Sequence, residues 1–527
     1  MDFLTDDPEV LKTYSTDASL FTMRPKFVAL PKTVGDLQKL VAYAKEKGES
    51  LTPRAGGTDM TGGPLSTSIV VDLKHFDKIH LLESDSVTLE PGVFYRDLEK
   101  ETTAKGVVLP CYPASKNIAA IGGMVANNCG GELSLKYGKM ENFVLSSKYI
   151  FSDGNEYEVR PLSENELQQK IFQGGFEGNL YKKTYNLLQD NKQLIQNAKP
   201  QVSKNSAGYY LWNIWNEEIF DLNKLLTGAQ GTLGVMTEAT LGLVPIETHH
   251  DLIALFFKSW DDLPQVVNAI LPFRPDNLEC FDKETLKLAI HFMPEVAERA
   301  GENFFSFAKK FLPEAFLSMQ MLGLPELVVL VEVTENNEKK LKEKVRSIER
   351  AIKPFRVWHR VISKDSEEEK FWVVRRESFN LLRKHVDGKR TVPLVDDFCV
   401  TPDKIPAFLP RAKKILEEYG IRVNIAGHAG DGNFHIIPLM DLELASERNK
   451  LLPLAEKFYD LVREFKGTIS GEHNDGIVRT PFLNKMYNSD VLKLFQEVKN
   501  IFDPQNIFNP GKKVSGDLDD FTKYLTK

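Results

Sequence analysis

Cysteine is scarce: 527 residues contain four, Cys111, Cys129, Cys280 and Cys399, and none form a Cys-x-x-Cys pair. That argues against a zinc ribbon, a disulfide framework and an iron–sulfur cluster, and it suits a reducing compartment. Positive charge is not in excess either. The 67 Lys and Arg face 74 Asp and Glu, a formal net charge of −7, so nucleic acid is not the expected partner. Long apolar runs are missing, because stretches such as Leu252–Phe257 and Leu327–Val331 fall far short of the roughly 20 residues that span a bilayer. Any membrane association would be peripheral. The N-terminus, Met1-Asp-Phe-Leu-Thr-Asp-Asp-Pro8, carries acids where a signal or transit peptide carries bases, which points to a cytoplasmic protein, at most docked on the inner face of a membrane. Neither G-x-G-x-x-G nor G-x-x-x-x-G-K-S/T occurs, which disfavours a Rossmann dehydrogenase and a P-loop NTPase.

What is present is a hydrophobic fraction of 42% and 34 glycines, many of them clustered. Leu37, Leu40, Val41 and Ala44 recur at helical spacing before Gly48, which predicts a helix from Val34. A strand-like Ser50-Leu-Thr-Pro53 follows, and further strand-like runs (Ile69–Leu73, Ser86–Glu90, Leu145–Phe151, Gly234–Leu243) alternate with glycine clusters. Residues 1–247 therefore read as one α+β domain, with a polar helical excursion over about 155–218. A second unit, residues 248–466, repeats a β-then-α pattern: strand 251–257 with helix 263–270, then strand 327–333 with a helix carrying Leu341, Val345, Ile348 and Ile352 on one face. That pattern suggests a cap domain built as an antiparallel sheet with helices on one side. Residues 467–527 are glycine- and turn-rich and are expected to pack back across the first domain.

Three glycine clusters share the first domain. Pro53-Arg54-Ala55-Gly56-Gly57-Thr58-Asp59-Met-Thr-Gly-Gly63 follows a strand directly, and its backbone could turn several N–H groups toward a phosphate. Gly122-Gly123-Met-Val-Ala-Asn127-Asn-Cys-Gly130-Gly131 and Gly228-Ala-Gln-Gly231-Thr-Leu-Gly234 add two more. A packed core gains little from glycine, whereas a flat phosphorylated ligand laid on backbone does. These runs, with Pro113-Ala-Ser115 and Gly234-Val235, resemble the two-subdomain FAD-binding domain of the vanillyl-alcohol-oxidase flavoproteins. The resemblance implies FAD held by Arg54, Ala55, Gly56, Gly57, Thr58, Asp59, Gly63, Pro113, Ser115, Gly122, Gly123, Asn127, Gly130, Gly234 and Val235, with Asn474 and Asn509 added from the tail. Some relatives attach flavin to a His of the first loop; here that stretch carries Thr58, so non-covalent FAD is implied.

Two histidine motifs lie farther on. In His428-Ala-Gly-Asp-Gly-Asn-Phe-His435, flanked by the β-like runs 422–426 and 436–439, a turn at Gly430–Asn433 would set His428 opposite His435, close enough to chelate one metal ion. In Ser470-Gly-Glu472-His473-Asn474-Asp-Gly, the adjacent Glu472 and His473 point different ways and can divide two roles. Glu472 would complete a two-His, one-carboxylate site suited to Zn²⁺ and also to Mn²⁺ or Fe²⁺. His473 would be left as a base. Both motifs resemble the C-terminal domain of FAD-linked D-2-hydroxy-acid dehydrogenases, the group of D-lactate dehydrogenases, glycolate oxidase flavoprotein subunits and D-2-hydroxyglutarate dehydrogenase.

The resemblance implies His428, His435 and Glu472 as metal ligands and His473 as the base. In Phe371-Trp372-Val-Val-Arg375-Arg376-Glu377 it implies Arg375 as the binder of the substrate carboxylate; Arg376 is the alternative, otherwise a solvated neighbour or a partner of Glu377. Dicarboxylate-oxidising members carry Asn and Lys where this chain has Ile437 and, by approximate alignment, Val395, so a D-lactate-like monocarboxylate is favoured over D-2-hydroxyglutarate. Glycolate is a further alternative. Electrons would leave to a quinone, an electron-transfer flavoprotein, a cytochrome or an iron–sulfur subunit. A metallohydrolase or a non-catalytic electron-transfer subunit would use only part of this inventory.

Overall fold

A computed structural model describes residues 1–299, 301–384, 389–421 and 423–526, with the backbone alone for Arg299, Asp365, Ser366 and residues 377–384. Arg422, at the start of an expected strand, and the Glu377 side chain, offered as a partner for Arg376, lie outside the described residues.

The first half holds two sheets. In one, strands run in the order Leu4–Thr5, Phe27–Ala29, Ile69–Asp72, Leu51–Arg54, and the last three are mutually parallel. Helix Val34–Lys47 covers this sheet with Leu37, Leu40, Val41 and Ala44 buried; Thr33 caps its start and Gly48, at φ 67°, ends it. Left-handed backbone there favours glycine. The second sheet is antiparallel throughout, in the order Ile79–Leu82, Ser86–Leu89, Val235–Gly242, Val144–Ile150, Glu156–Val159. The polar stretch after it forms helices Glu164–Phe172, Gly175–Asp190 and Lys192–Ala198. Most of its apolar residues, among them Leu167, Leu180, Tyr181 and Ile195, are buried, Phe172 being exposed, which is how so charged a segment still packs.

The second half is built on an eight-stranded antiparallel sheet. Its path runs Trp358–Ile362, His249–Phe257, Leu327–Glu335, Asn277–Asp282, Val423–His428, Asn433–Met440, Arg390–Thr391, and Phe398–Cys399 also pairs with Asn433–Met440. Ile253, Leu255 and Phe257 pack with Leu263, Val266, Leu341 and Val345 of the two expected helices. The opposite side of the same strand, Leu252, Ala254 and Phe256, packs against Phe371 and Trp372 of helix Asp365–Lys384. Helices thus cover both faces of this sheet, not one. The near-continuous apolar run from Leu252 to Phe257 required it, since a strand open to water on one face alternates with polar residues. Between strands Asn277–Asp282 and Leu327–Glu335 the chain inserts four helices, Lys283–His291, Met293–Arg299, Phe304–Lys310 and Leu312–Gln320.

The tail crosses back over the first glycine loop and its sheet. The Ile477 N–H donates to the Thr61 carbonyl at 2.8 Å and the Leu51 N–H to the Ile507 carbonyl at 2.7 Å. No helix of the described residues is long and apolar enough to cross a membrane.

Candidate functional site

A cavity of about 830 Å³ runs from the glycine loops to the large antiparallel sheet. All the loop residues read from the sequence as flavin ligands line it, except Val235, Asn474 and Asn509. Val235 is buried in the core beneath the first sheet's helix. The other two brace the wall from behind: the Asn509 amide donates to the Gly63 and Gln230 carbonyls at 3.0 and 2.7 Å, and Asn474, at φ 72°, donates to the Gly228 carbonyl at 2.9 Å. Asn127 links two loops by donating to Asp59 at 2.9 Å, and Gln230 adds the third by donating to Asn127 at 3.2 Å.

The first loop fits a pyrophosphate. Among the described residues, the backbone N–H groups of Ala55, Gly56, Gly57 and Thr58 donate to no protein acceptor although all four residues line the cavity. Consecutive unspent amides of this kind form an anion-binding nest. The glycines themselves have a different reason from the one read in the sequence. A Cβ at Gly56 would stand 2.6 Å from the Ile118 carbonyl oxygen, and one at Gly131 only 1.9 Å from that of Tyr112. Their absent side chains admit the protein's own backbone, so the ligand meets amides and not the space a Cβ would fill.

At the far end, strands Val423–His428 and Asn433–Met440 form a hairpin whose turn is one step earlier than expected: His428 is the partner of Asn433, and His435 that of Ala426. Asn433 is claimed by the neighbouring strand, as the partner of Cys399 and a donor to the Phe398 carbonyl and the Asp397 carboxylate, so it cannot serve in the turn. The slip moves both strands by one residue, and His428 and His435 still share a face. Their rings lie 5.4 Å apart, nearly perpendicular. Glu472 completes the group: one nitrogen from each His and one Glu oxygen lie within 4.8 Å of one another. The turn depends on Gly432, whose φ is 68° and whose Cβ would fall 1.8 Å from the Val400 carbonyl oxygen. Gly432→Ala is expected to cost several kcal/mol, from the left-handed penalty of about 1–2 kcal/mol plus the clash; a thermal melt within 1 °C of the parent would refute this reading of the turn.

Carboxylates back every imidazole. His428 Nδ1 pairs with Glu279. Asp396 sits between the other two rings, its oxygens 3.1 Å from His435 Nδ1 and 2.9 Å from His473 Nδ1, and those rings stack at 5.0 Å. This leaves Nε2 of each ring toward the cavity, the arrangement in which a carboxylate fixes a ligand's tautomer. The loop bearing Glu472 and His473 hangs on Asp397, which accepts from both backbone N–H groups at 3.0 and 2.7 Å and from the Ser470 hydroxyl at 3.0 Å. Lys204, 2% exposed, reaches Glu472 Oε1 at 2.5 Å and Asp431 at 3.0 Å.

Burial disfavours every one of these charges, so the pairs decide the outcome. Burial would raise Glu472, yet Lys204 and then His428 hold it well below the usual carboxylate range. Burial would lower His473, but Asp397 and Asp396 push it up to about 9; His428 is likewise brought to about 9, chiefly by Glu279.

Comparison with known proteins places this geometry. Residues 246–513 match the family model described as FAD linked oxidases, C-terminal domain, and residues 25–160 match FAD binding domain. The chain belongs to the FAD-linked oxidases. D-lactate dehydrogenase of Archaeoglobus fulgidus is 28% identical over 92% of this chain and 91% of its own length. Glycolate oxidase subunit GlcD of Bacillus subtilis is 27% identical over 96% and 92%. D-2-hydroxyglutarate dehydrogenase of Escherichia coli is 25% identical over 95% of this chain but 49% of its own length; this chain spans about half the length of several curated relatives it matches. Among solved structures, p-cresol methylhydroxylase with substrate bound shares the fold at TM-score 0.67 and 15% identity, covering 98% of this chain and 95% of that one.

Within this FAD-linked oxidase the two arginines are both engaged. Arg375 lines the cavity and holds Glu279 Oε2 with Nε at 3.2 Å and Nη2 at 3.0 Å. Arg376 forms a two-point pair with Glu132, 2.8 Å at each contact. Ile437 lines the cavity, but Val395 is fully buried away from it. Sequence reasoning missed Glu279, Asp396, Asp397 and Lys204. The one signal available was that Asp396-Asp397 stands in an apolar run, Val392-Pro-Leu-Val395 before and Phe398-Cys-Val400 after, where paired acids need buried partners.

Proposed function

We propose that this protein oxidises a D-2-hydroxy acid, a D-lactate-like monocarboxylate, to the 2-oxo acid, with non-covalent FAD and a divalent cation, Zn²⁺ before Mn²⁺ or Fe²⁺, at His428, His435 and Glu472. The observation that carries this reading is the meeting, in one cavity, of an amide nest suited to pyrophosphate and a His–His–Glu set whose histidines are each backed by a carboxylate. Bound FAD supplies the acceptor for the Cα hydride and the cation supplies Lewis acidity toward the 2-hydroxyl. His473, raised to about 9 by Asp397 and Asp396, is a base only in its neutral form; a cation bound beside it would favour that form, and the ring then takes the hydroxyl proton at Nε2 while Asp396 faces its other nitrogen. Arg375 binds the carboxylate. Ile437 gives a second carboxylate no counter-charge, which ranks D-2-hydroxyglutarate below D-lactate. The electrons then pass to a quinone, an electron-transfer flavoprotein, a cytochrome or an iron–sulfur subunit.

The test is anaerobic bleaching of the flavin band at about 450 nm by D-lactate, L-lactate, glycolate, D-2-hydroxybutyrate and D-2-hydroxyglutarate, before and after chelation. Bleaching by D-lactate or D-2-hydroxybutyrate, slowed at least about 100-fold by the chelator, is the expected result. A yellow protein that none of the five reduces would overturn the hydroxy-acid reading.

A further inference from the structure

The hairpin that carries His428 and His435 continues away from them, and what it presents next is not apolar. Asn424 is the ladder partner of Ile437. It lies on the strand face that also bears Ala426 and His428, because residues two apart share a face, and all three line the cavity with Ile437. One step along the strands is two residues, about 7 Å, so the Asn424–Ile437 level stands that far beyond the level of His435. A chain of roughly four or five bonds bridges such a span.

Asn424 is held in one orientation. Its amide nitrogen donates to the Thr285 hydroxyl at 3.4 Å, and Thr285 also lines the cavity. Thr285 sits in the first turn of helix Lys283–His291, where Asp282 caps the helix by accepting from the Thr285 backbone N–H at 2.9 Å. In its contact with Asn424 the Thr285 hydroxyl oxygen is the acceptor. With the Asn424 NH₂ on Thr285, its carbonyl oxygen is an acceptor with no partner among the described residues.

We infer that Asn424, held to Thr285, forms a hydrogen-bonding subsite for the far end of the substrate and selects 2-hydroxy acids about five carbons long that end in a hydrogen-bond donor, a hydroxyl or a primary amide. An alkyl end would leave the Asn424 carbonyl oxygen desolvated without a partner, and a carboxylate end, able to take only the amide's second N–H, would leave that oxygen facing an acceptor. This deepens the proposed function and rests on it for the placement of the substrate's other end.

The experiment compares four acids of equal length in the D configuration: 2,5-dihydroxyvalerate, 2-hydroxyglutaramate, 2-hydroxyvalerate and 2-hydroxyglutarate. Two readouts are taken on the FAD-loaded, full-length protein: kcat/KM for flavin reduction, and Kd from the flavin difference spectrum. The hydroxyl- and amide-ended acids are expected to exceed the alkyl- and carboxylate-ended ones by at least 10-fold in both. Asn424→Leu should cut the hydroxyl-to-alkyl ratio at least 10-fold, and Thr285→Val should move it the same way. Because the readout is a ratio between substrates, a general loss of folded protein leaves it unchanged. A wild-type preference for 2-hydroxyvalerate or 2-hydroxyglutarate, or a ratio that Asn424→Leu does not move, would overturn the inference. If no acid reduces the flavin while the Kd order holds, the oxidation reading fails and the subsite stands.

Discussion

His473→Asn is expected to slow flavin reduction by the preferred hydroxy acid by about 100- to 10,000-fold, the range that a positioned general base contributes, while the spectrum of bound FAD stays unchanged. The two halves of this expectation come from different atoms. The His473 backbone N–H is fixed by Asp397 at 2.7 Å, a bond the substitution keeps, so the loop and the neighbouring Glu472 hold their places. The ring alone is removed, and with it the nitrogen that Asp396 turns toward the cavity from 2.9 Å on the other side. Asparagine still offers an amide to Asp396, which avoids stranding a buried carboxylate, but it accepts no proton near neutral pH. Stopped-flow mixing with D-lactate under anaerobic conditions gives the rate. A variant within threefold of the parent would remove His473 from the chemistry and shift attention to His435, stacked on it at 5.0 Å.

The residues at the front of this site were legible in the sequence, and those behind them were not. His428 and His435 straddle an Asp-Gly turn, and the period of two along a strand keeps them on one face whichever of two registers the turn adopts; the predicted register was one step off and the conclusion survived. Glu472 and His473 are adjacent and so diverge. Glu279, however, lies some 150 positions before His428 and reaches it only because strand Asn277–Asp282 pairs with Val423–His428, with Glu279 opposite His428. No local pattern encodes that pairing. Lys204 stands in a polar stretch, Ser203-Lys-Asn-Ser206, that reads as solvated loop, yet it is among the largest fully buried side chains.

The inserted helices were illegible for a different reason. Leu312–Gln320 turns Glu314 inward to Lys370, at 2.7 Å, and to Arg360, while Leu312, Phe316 and Met319 stay exposed. Hydrophobic periodicity would place that helix the wrong way round.

Lys204→Met is the other substitution with a large expected effect. In the parent, one buried ammonium serves two buried carboxylates, Glu472 at 2.5 Å and Asp431 at 3.0 Å. Methionine fills a similar volume, so packing is nearly conserved and the change isolates the charge. Breaking a buried pair by removing one partner typically costs about 3–5 kcal/mol, because the remaining charge is left uncompensated. Here Asp431 loses this partner and Glu472 keeps His428, at 3.4 Å. Burial then acts on Glu472 without its strongest counterweight, and its carboxyl, held low chiefly by Lys204, is expected to rise toward or above the ordinary range. The melting temperature should fall by several degrees, and the fall should be smaller when Zn²⁺ or Mn²⁺ is supplied, since a divalent cation at His428, His435 and Glu472 replaces the missing positive charge beside the same carboxylate. Melting curves of parent and variant, each with chelator and with metal, separate these effects. Equal losses in the two conditions would mean that Lys204 stabilises the fold without bearing on a cation, and no loss in either would mean that Glu472 and Asp431 tolerate burial without Lys204.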